Sequence, residues 1–204
     1  MKKKLIIFGA GNIAQLAHYY FSNDSHYEVV CFTVDQQYIT ETSFCSLPVI
    51  PFKGLNQEYG TADHDLFVAL SYSDLNVIRK NKYLEAKALG YAMASYISSH
   101  ATILNDRNIG ENCFILENNT IQPYAVIGNN VTLWSGNHIG HHSIIGDHSF
   151  ISSHVVVSGG VEISDLCFLG VNATIRDHVS IGSKTIVGAG ALVLHDLPAQ
   201  SLVK

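Results

Sequence analysis

From Ile97 to Val193 every sixth residue is Ile, Leu or Val, an unbroken run of seventeen positions that includes Ile103, Ile121, Leu133, Ile151, Leu169 and Val187. Self-similarity at a fixed period marks a repeat architecture. Four residues after most of these aliphatics comes a small or aliphatic residue, as at Ala101, Cys113, Ala125, Val131, Ser143, Val155, Val161, Cys167 and Ala173. That position lies two residues before the next aliphatic, so in an extended chain both side chains point the same way. Between them stand turn formers: Asn105-Asp106, Glu111-Asn112, Asn129-Asn130, Ser135-Gly136, Gly159-Gly160 and Asp177-His178. Such residues accept left-handed backbone or local hydrogen bonds. Each hexad therefore predicts one short strand and one corner. Three strands are the fewest that enclose a filled interior, which predicts a triangular parallel β-helix with eighteen residues per coil. Residues eighteen apart would then stack at about 4.8 Å. The spacing does not set the hand of the helix, and parallel crossovers are usually right-handed.

Before residue 97 the pattern changes. Lys4 to Phe8 reads as a buried strand, followed by Gly9-Ala10-Gly11-Asn12-Ile13-Ala14 and an amphipathic helix to about Phe21. A second strand, Tyr27 to Val34, ends at Asp35. This is a β-α-β unit with a GxGxxA turn and an acidic residue after its second strand. Residues 36–60, punctuated by Pro48 and Pro51, read as irregular; Leu66 to Leu70 is a third strand, and Leu75 to Leu89 a helix closed by Gly90. The chain thus divides into a small Rossmann-like domain, 1–90, and a β-helix domain, 97–204. The glycine turn and helix start suit a phosphate-bearing nucleotide, with Gly9, Gly11 and Asn12 at the phosphates and Asp35 on base or ribose. The alternative is a glycine turn that merely joins strand to helix. Fewer than 100 residues leave no room for a second mononucleotide half, which disfavours an NAD-dependent oxidoreductase.

Composition narrows the partners. Of 204 residues 47% are hydrophobic and only 14% charged, as expected where strands stack on one another. The net charge of −5 argues against nucleic acid or an anionic membrane surface. Cys31, Cys45, Cys113 and Cys167 form no CxxC pair, and Cys113 and Cys167 fall on inward positions, which fits a reducing compartment. The apolar stretch after Lys2-Lys3-Lys4 is too short for a signal peptide, and no stretch reaches transmembrane length. A cytoplasmic protein is expected.

Eight of the eleven histidines lie in the hexad region. His100, His148, His154 and His178 are single corner histidines, expected to be solvated turn residues; His138 faces outward from a strand, and His195 lies near the end of the repeat. His141-His142 differs from all of these. In steps of eighteen, Pro123-Tyr124 lies below it, Gly159-Gly160 above, and Asp177-His178 above those. A histidine beneath two glycines has an open notch beside it, and exposed glycine N–H groups near an imidazole supply a general base and an oxyanion donor. The bland alternative is a tight turn at Gly159-Gly160. A metal site is not expected: His142 and His178 stand two coils, roughly 10 Å, apart, too far to share one zinc ion.

The domain pairing, the stretch -IGHHSIIGDHSFISSHVVVSGGV- and the later -CFLGVNATI- make the chain resemble the PglD/NeuD-type sugar acetyltransferases. The resemblance covers nearly the whole chain. It implies a left-handed β-helix, a homotrimer with active sites between subunits, and acetyl-CoA as donor to a nucleotide-linked amino sugar of bacterial surface glycans such as lipopolysaccharide. It places the catalytic base on His141 and the oxyanion donor on the Gly159 N–H, with His142 beside them. It places the CoA arm near Gly160, Val171, Ala189 and Gly190, and the nucleotide at Gly9, Gly11, Asn12 and Asp35. Two departures stand out. Relatives carry an acidic residue after the catalytic histidine where this chain has His142, so a backbone carbonyl or a neighbouring subunit is expected to orient His141. The chain also stops at Lys204, just short of the family's G-x-P-A segment, so either the sequence is truncated or CoA is held without that tail. Two rival readings remain: O-acetylation of a sialic acid, and a non-catalytic trimeric scaffold that senses a nucleotide.

Overall fold

A computed structural model describes residues 2–106 and 108–204. The chain forms two compact units, one of residues 1–71 and 78–96, the other of 72–77 and 97–204.

The first unit is built on β1 (Lys3–Phe8), α1 (Asn12–Asn23), β2 (Tyr27–Val34), β3 (Ser43–Phe44), β4 (Leu47–Pro51), α2 (Leu55–Glu58), β5 (His64–Val68), α3 (Val77–Ala88) and β6 (Ala92–Met93). The sheet order is β3-β4-β2-β1-β5-β6, and only the β3–β4 pair is antiparallel. The central strand needs a continuous apolar run, and Leu5, Ile6 and Ile7 are wholly buried. α1 buries Ala14, Ala17 and Phe21, the i, i+3, i+7 stripe of an amphipathic helix. The order reverses at β1, so the glycine turn that follows it lies at the position where open α/β sheets bind ligands.

Three expectations need correction here. Residues 36–60 are not irregular: Leu47–Pro51 is a strand with Val49 opposite Phe32. Its prolines stand second and last in the strand, where a missing N–H costs little. The third strand runs two residues earlier, from His64 to Val68. The helix expected from Leu75 begins at Val77, because Asp74, Leu75 and Asn76 have φ of 50, 48 and 63°. Three successive left-handed residues cannot belong to a right-handed helix. Gly90, with φ 92°, closes α3: its N–H bonds to Lys87 O (2.9 Å) and that of Tyr91 to Ala86 O (3.3 Å), a Schellman motif.

The second unit is a left-handed parallel β-helix of two-residue strands. Strands pair with those eighteen residues on, as in Thr120↔His138, Val126↔Ile144 and Thr132↔Phe150, except in the last coil, where Ile186 pairs with Leu202; this makes three flat faces. The aliphatic position and the small position of each hexad fill the interior; Cys113, Ile121, Ala125, Leu133, Ile151, Val161, Cys167 and Ile175 are wholly buried. Burial pushes the Cys167 thiol up to about 11, so it stays protonated.

The corners obey a second period. At six-residue intervals from Asn112 to Gly190 the backbone is left-handed, with φ between 54 and 79°. Asn, Gly and His fill most of these places, including His142, His148, His154 and His178. Asn and His are the side-chain-bearing types that tolerate this region best. His148 departs from the solvated role expected of it: it is 5% exposed and ends a buried ladder in which Asn112 Nδ2 donates to Asn130 Oδ1 (2.7 Å) and Asn130 Nδ2 meets His148 Nδ1 (3.0 Å). Asn76, fully buried, donates its amide to the His148 carbonyl at 2.7 Å. Above them Tyr72 packs on Phe150 and Phe168, at 4.8 and 4.9 Å between ring centroids. This is why 72–77 belongs with the coils.

Candidate active site

Three backbone contacts set His141 and His142 on their corner. The His141 N–H donates to Gln122 Oε1 (2.9 Å), the His142 N–H to Pro123 O (3.3 Å), and the Gly160 N–H to His141 O (2.8 Å). Both side chains are exposed. The His141 imidazole turns toward the coil above and lies on Gly159: a Cβ built there would come within 2.6 Å of Cε1 and 2.7 Å of Nε2. A side chain at 159 would therefore displace the ring from this place. The Gly159 N–H has no acceptor among the described residues. An imidazole ring and a residue with a vacant N–H donor thus stand side by side.

The notch expected beside the two glycines is filled from both sides. His141 occupies the space at Gly159, and His178, from the coil above, occupies that at Gly160, where a Cβ would stand 2.6 Å from the His178 Nδ1. His178 and His154 are exposed, as expected for corner histidines.

Within this chain the His141 ring has a hydrogen-bonding partner beside it. Its Nδ1 lies 3.1 Å from Nδ1 of His142, and the two rings meet edge to face at 85°. His142 in turn lies over Tyr124, with ring centroids 4.7 Å apart. The partner of His141 is therefore its own sequence neighbour, not a carbonyl. In a regular strand adjacent side chains diverge; here the left-handed backbone at His142 turns its ring back toward His141. The six-residue corner period announces that backbone, but not where the ring on it points.

The residues expected to hold CoA fall into two groups. Val171, Ala189 and Gly190 are exposed on one corner, joined by a Gly190 N–H to Val171 O bond of 2.8 Å. Gly160 is on the His141 corner, separated from them by the face that carries Val156 and Thr174. One chain alone does not bring the four together.

In the first unit a cleft of about 380 Å³ opens beside the glycine turn, lined by Gly9, Gly11, Asp35, Tyr38, Thr40 and Lys82 among others. The two glycines differ in kind. Gly9 has φ 126°, and a Cβ on it would stand 2.8 Å from the Ala69 carbonyl oxygen, so the fold itself demands it. Gly11 has nothing within 4 Å of its would-be Cβ, so the fold leaves that space open. Gly11 also caps α1 without a side-chain hydrogen bond, and no acidic residue occupies the first turn. The first-turn N–H groups are thus available to an anion. Asn12 is exposed at the helix start but does not line the cleft.

Lys82 escapes sequence reasoning, which sees only a polar position on α3. Its ammonium bonds Asp35 Oδ1 at 2.9 Å and Glu85 Oε2 at 2.7 Å, and sits 5.7 Å from the Phe8 ring centroid. Burial acts to lower its pKa, but the bonds to Glu85 and Asp35 prevail and hold it above the ordinary lysine value. The i, i+3 spacing to Glu85 was the available clue.

Residues 124–159 match the bacterial transferase hexapeptide (six repeats) family. No curated protein matches the chain. Among solved structures the chain is similar to the acetyltransferase domain of PglB from Neisseria gonorrhoeae in complex with acetyl coenzyme A, at 25% identity and a TM-score of 0.87, covering 99% of this chain and 96% of that one. It shares its fold with PerB from Caulobacter crescentus in complex with CoA and GDP-perosamine (24% identity, TM-score 0.83, 98% and 92% covered). It also shares its fold with WeeI from Acinetobacter baumannii (22%, 0.79, 97% and 94%). The chain has the hexapeptide repeat and, over nearly its whole length, the fold of that PglB acetyltransferase domain. No helix among the described residues is long and apolar enough to cross a membrane.

Proposed function

We propose that this hexapeptide-repeat protein is an acetyl-CoA-dependent N-acetyltransferase whose acceptor is a nucleotide-linked amino-deoxysugar of bacterial surface-glycan biosynthesis. The observation that carries the reading is the His141 imidazole resting on Gly159, with Nε2 2.7 Å from where a Cβ would stand, on a glycine whose N–H has no acceptor among the described residues. The sugar amine attacks the thioester carbonyl and forms the C–N bond. His141 Nε2 takes the amine proton, and the Gly159 N–H meets the oxyanion of the tetrahedral intermediate. Collapse breaks the C–S bond, and the imidazolium returns the proton to the CoA thiolate. Base, proton and leaving group balance without a metal.

The first unit holds the nucleotide, with phosphates at the uncapped start of α1 and the nucleoside against Asp35 and Lys82. The need to bring Gly160 together with Val171, Ala189 and Gly190 supports a homotrimer, in which a neighbouring subunit supplies the second corner of the CoA site. We place the enzyme in the cytoplasm, where acetyl-CoA and nucleotide sugars are made.

The test is thiol release from acetyl-CoA across a panel of UDP-, dTDP- and GDP-linked amino sugars and sialates, with His141→Ala alongside. Turnover on one amino sugar that vanishes in the variant is the expected result. Turnover on sialate alone would move the enzyme to O-acetylation. Failure of acetyl-CoA to bind would leave only a scaffold. A base that must be unprotonated to act should make kcat/KM rise as the pH is raised from the acid side. A flat profile would remove His141 as the base.

A further inference from the structure

The 3.1 Å approach of His141 Nδ1 to His142 Nδ1 permits only one proton between the two rings. Two protonated nitrogens would repel at that distance, and two bare ones would leave neither bonded. Taking the acetyltransferase reading as its basis, we propose that His142 is the positioning residue of this site: its bare Nδ1 accepts the His141 Nδ1–H and so keeps His141 Nε2 unprotonated, facing Gly159. The reverse arrangement would put a proton on Nε2, where the ring lies against Gly159, and abolish the base.

The two rings stand in different surroundings. His142 is packed on Tyr124 from the coil below, at 4.7 Å and 35° between ring planes, so its ring is steadied by stacking. His141 has its backbone N–H on Gln122 and its ring free to face the reacting atoms. The groups facing the pair are Tyr124 and Gln122 from the coil below and Gly159 and Gly160 from the coil above. His178, whose ring lies on Gly160, and its neighbour Asp177 belong to the next coil. No carboxylate is hydrogen-bonded to either ring among the described residues.

This gives the pair a proton count unlike that of an imidazole beside a carboxylate. In the active form one proton lies between the rings and a second sits on His142 Nε2. The third proton goes to His141 Nε2 whichever ring is drawn with the charge, and it removes the base. A fourth would place two cations in contact and break the shared bond. The pair therefore switches off as a unit on uptake of a single proton.

Long-range proton–nitrogen NMR on the whole protein reads the tautomer without any substrate, so it decides the pairing even if the transferase assignment fails. His141 is expected to carry its proton on Nδ1 near neutral pH. A proton on Nε2 instead overturns the proposal. His142→Phe keeps a ring on Tyr124 but no acceptor; it should lower kcat about ten- to a hundredfold with KM for acetyl-CoA unchanged, as when a base loses its orienting partner. His142→Gln, which can still accept, should restore most of the rate. His142→Glu should move the acid limb of kcat/KM up by about one pH unit, because a carboxylate favours the imidazolium. If Phe, Gln and Glu variants share one rate and one pH profile, His142 has no positioning role.

Discussion

The β-helix and the first unit solve the same problem, burying an apolar interior, by opposite routes. In the coils strand residues up to the last coil have their neighbours eighteen positions away, so each hexad carries a local copy of the whole design. In the first unit β1 is flanked by strands that begin at Tyr27 and His64, and no spacing in the chain reveals those partners. Glycine shows the contrast well. Gly9 is held by the fold, Gly11 is left free by it, and Gly159 is held by a histidine that the fold would not otherwise need there. A glycine required by a functional side chain, not by the backbone, is the more specific sign of a site.

Substituting those glycines sharpens the comparison. Gly159→Ala forces its Cβ into the His141 ring; we expect kcat to fall about a hundredfold or more, with melting temperature nearly unchanged. A normal rate would show that the ring can move aside without loss. Gly9→Ala should act on stability, costing about 1–3 kcal/mol from the left-handed backbone plus the clash with Ala69 O, measurable by denaturant unfolding. Next comes Asn130→Ala, which removes one partner each from the Asn112 amide and the His148 ring inside the coil; it should cost about 1–3 kcal/mol more than the same change at an exposed corner asparagine such as Asn172, which shares the left-handed backbone. The smallest stability effect belongs to Gly11→Ala, within about 0.5 kcal/mol by thermal melting. Its KM for the nucleotide sugar should nonetheless rise, because the new methyl enters the space left at the start of α1. An unchanged KM would mean the turn serves the fold alone.

Much was legible in the chain. The strand positions, the inward residues and the eighteen-residue coil follow from a repeat in which local pattern and global contact coincide. The stacking of His141 beneath Gly159 follows from the same arithmetic. The β-α-β start was legible too, because its glycine turn and apolar strand are local signals. What failed did so for identifiable reasons. The left-handed turn at Asp74-Leu75-Asn76 is paid for by the buried Asn76 bond to His148, seventy-two residues away. The strand at Leu47–Pro51 forms despite two prolines because β2 offers it an edge. Lys82 finds Asp35 only once the sheet is assembled.

The sequence by itself determined the repeat, its corners and which histidine stands under which glycine, because a period-six pattern ties side-chain direction to position along the chain. Only the tertiary structure decided where the rings point: that His142 turns to His141, that His148 is buried, and that the open side of Gly160 is already taken by His178. Those are choices of rotamer and backbone hand. They depend on what occupies the space above and below, and only the assembled coils supply that.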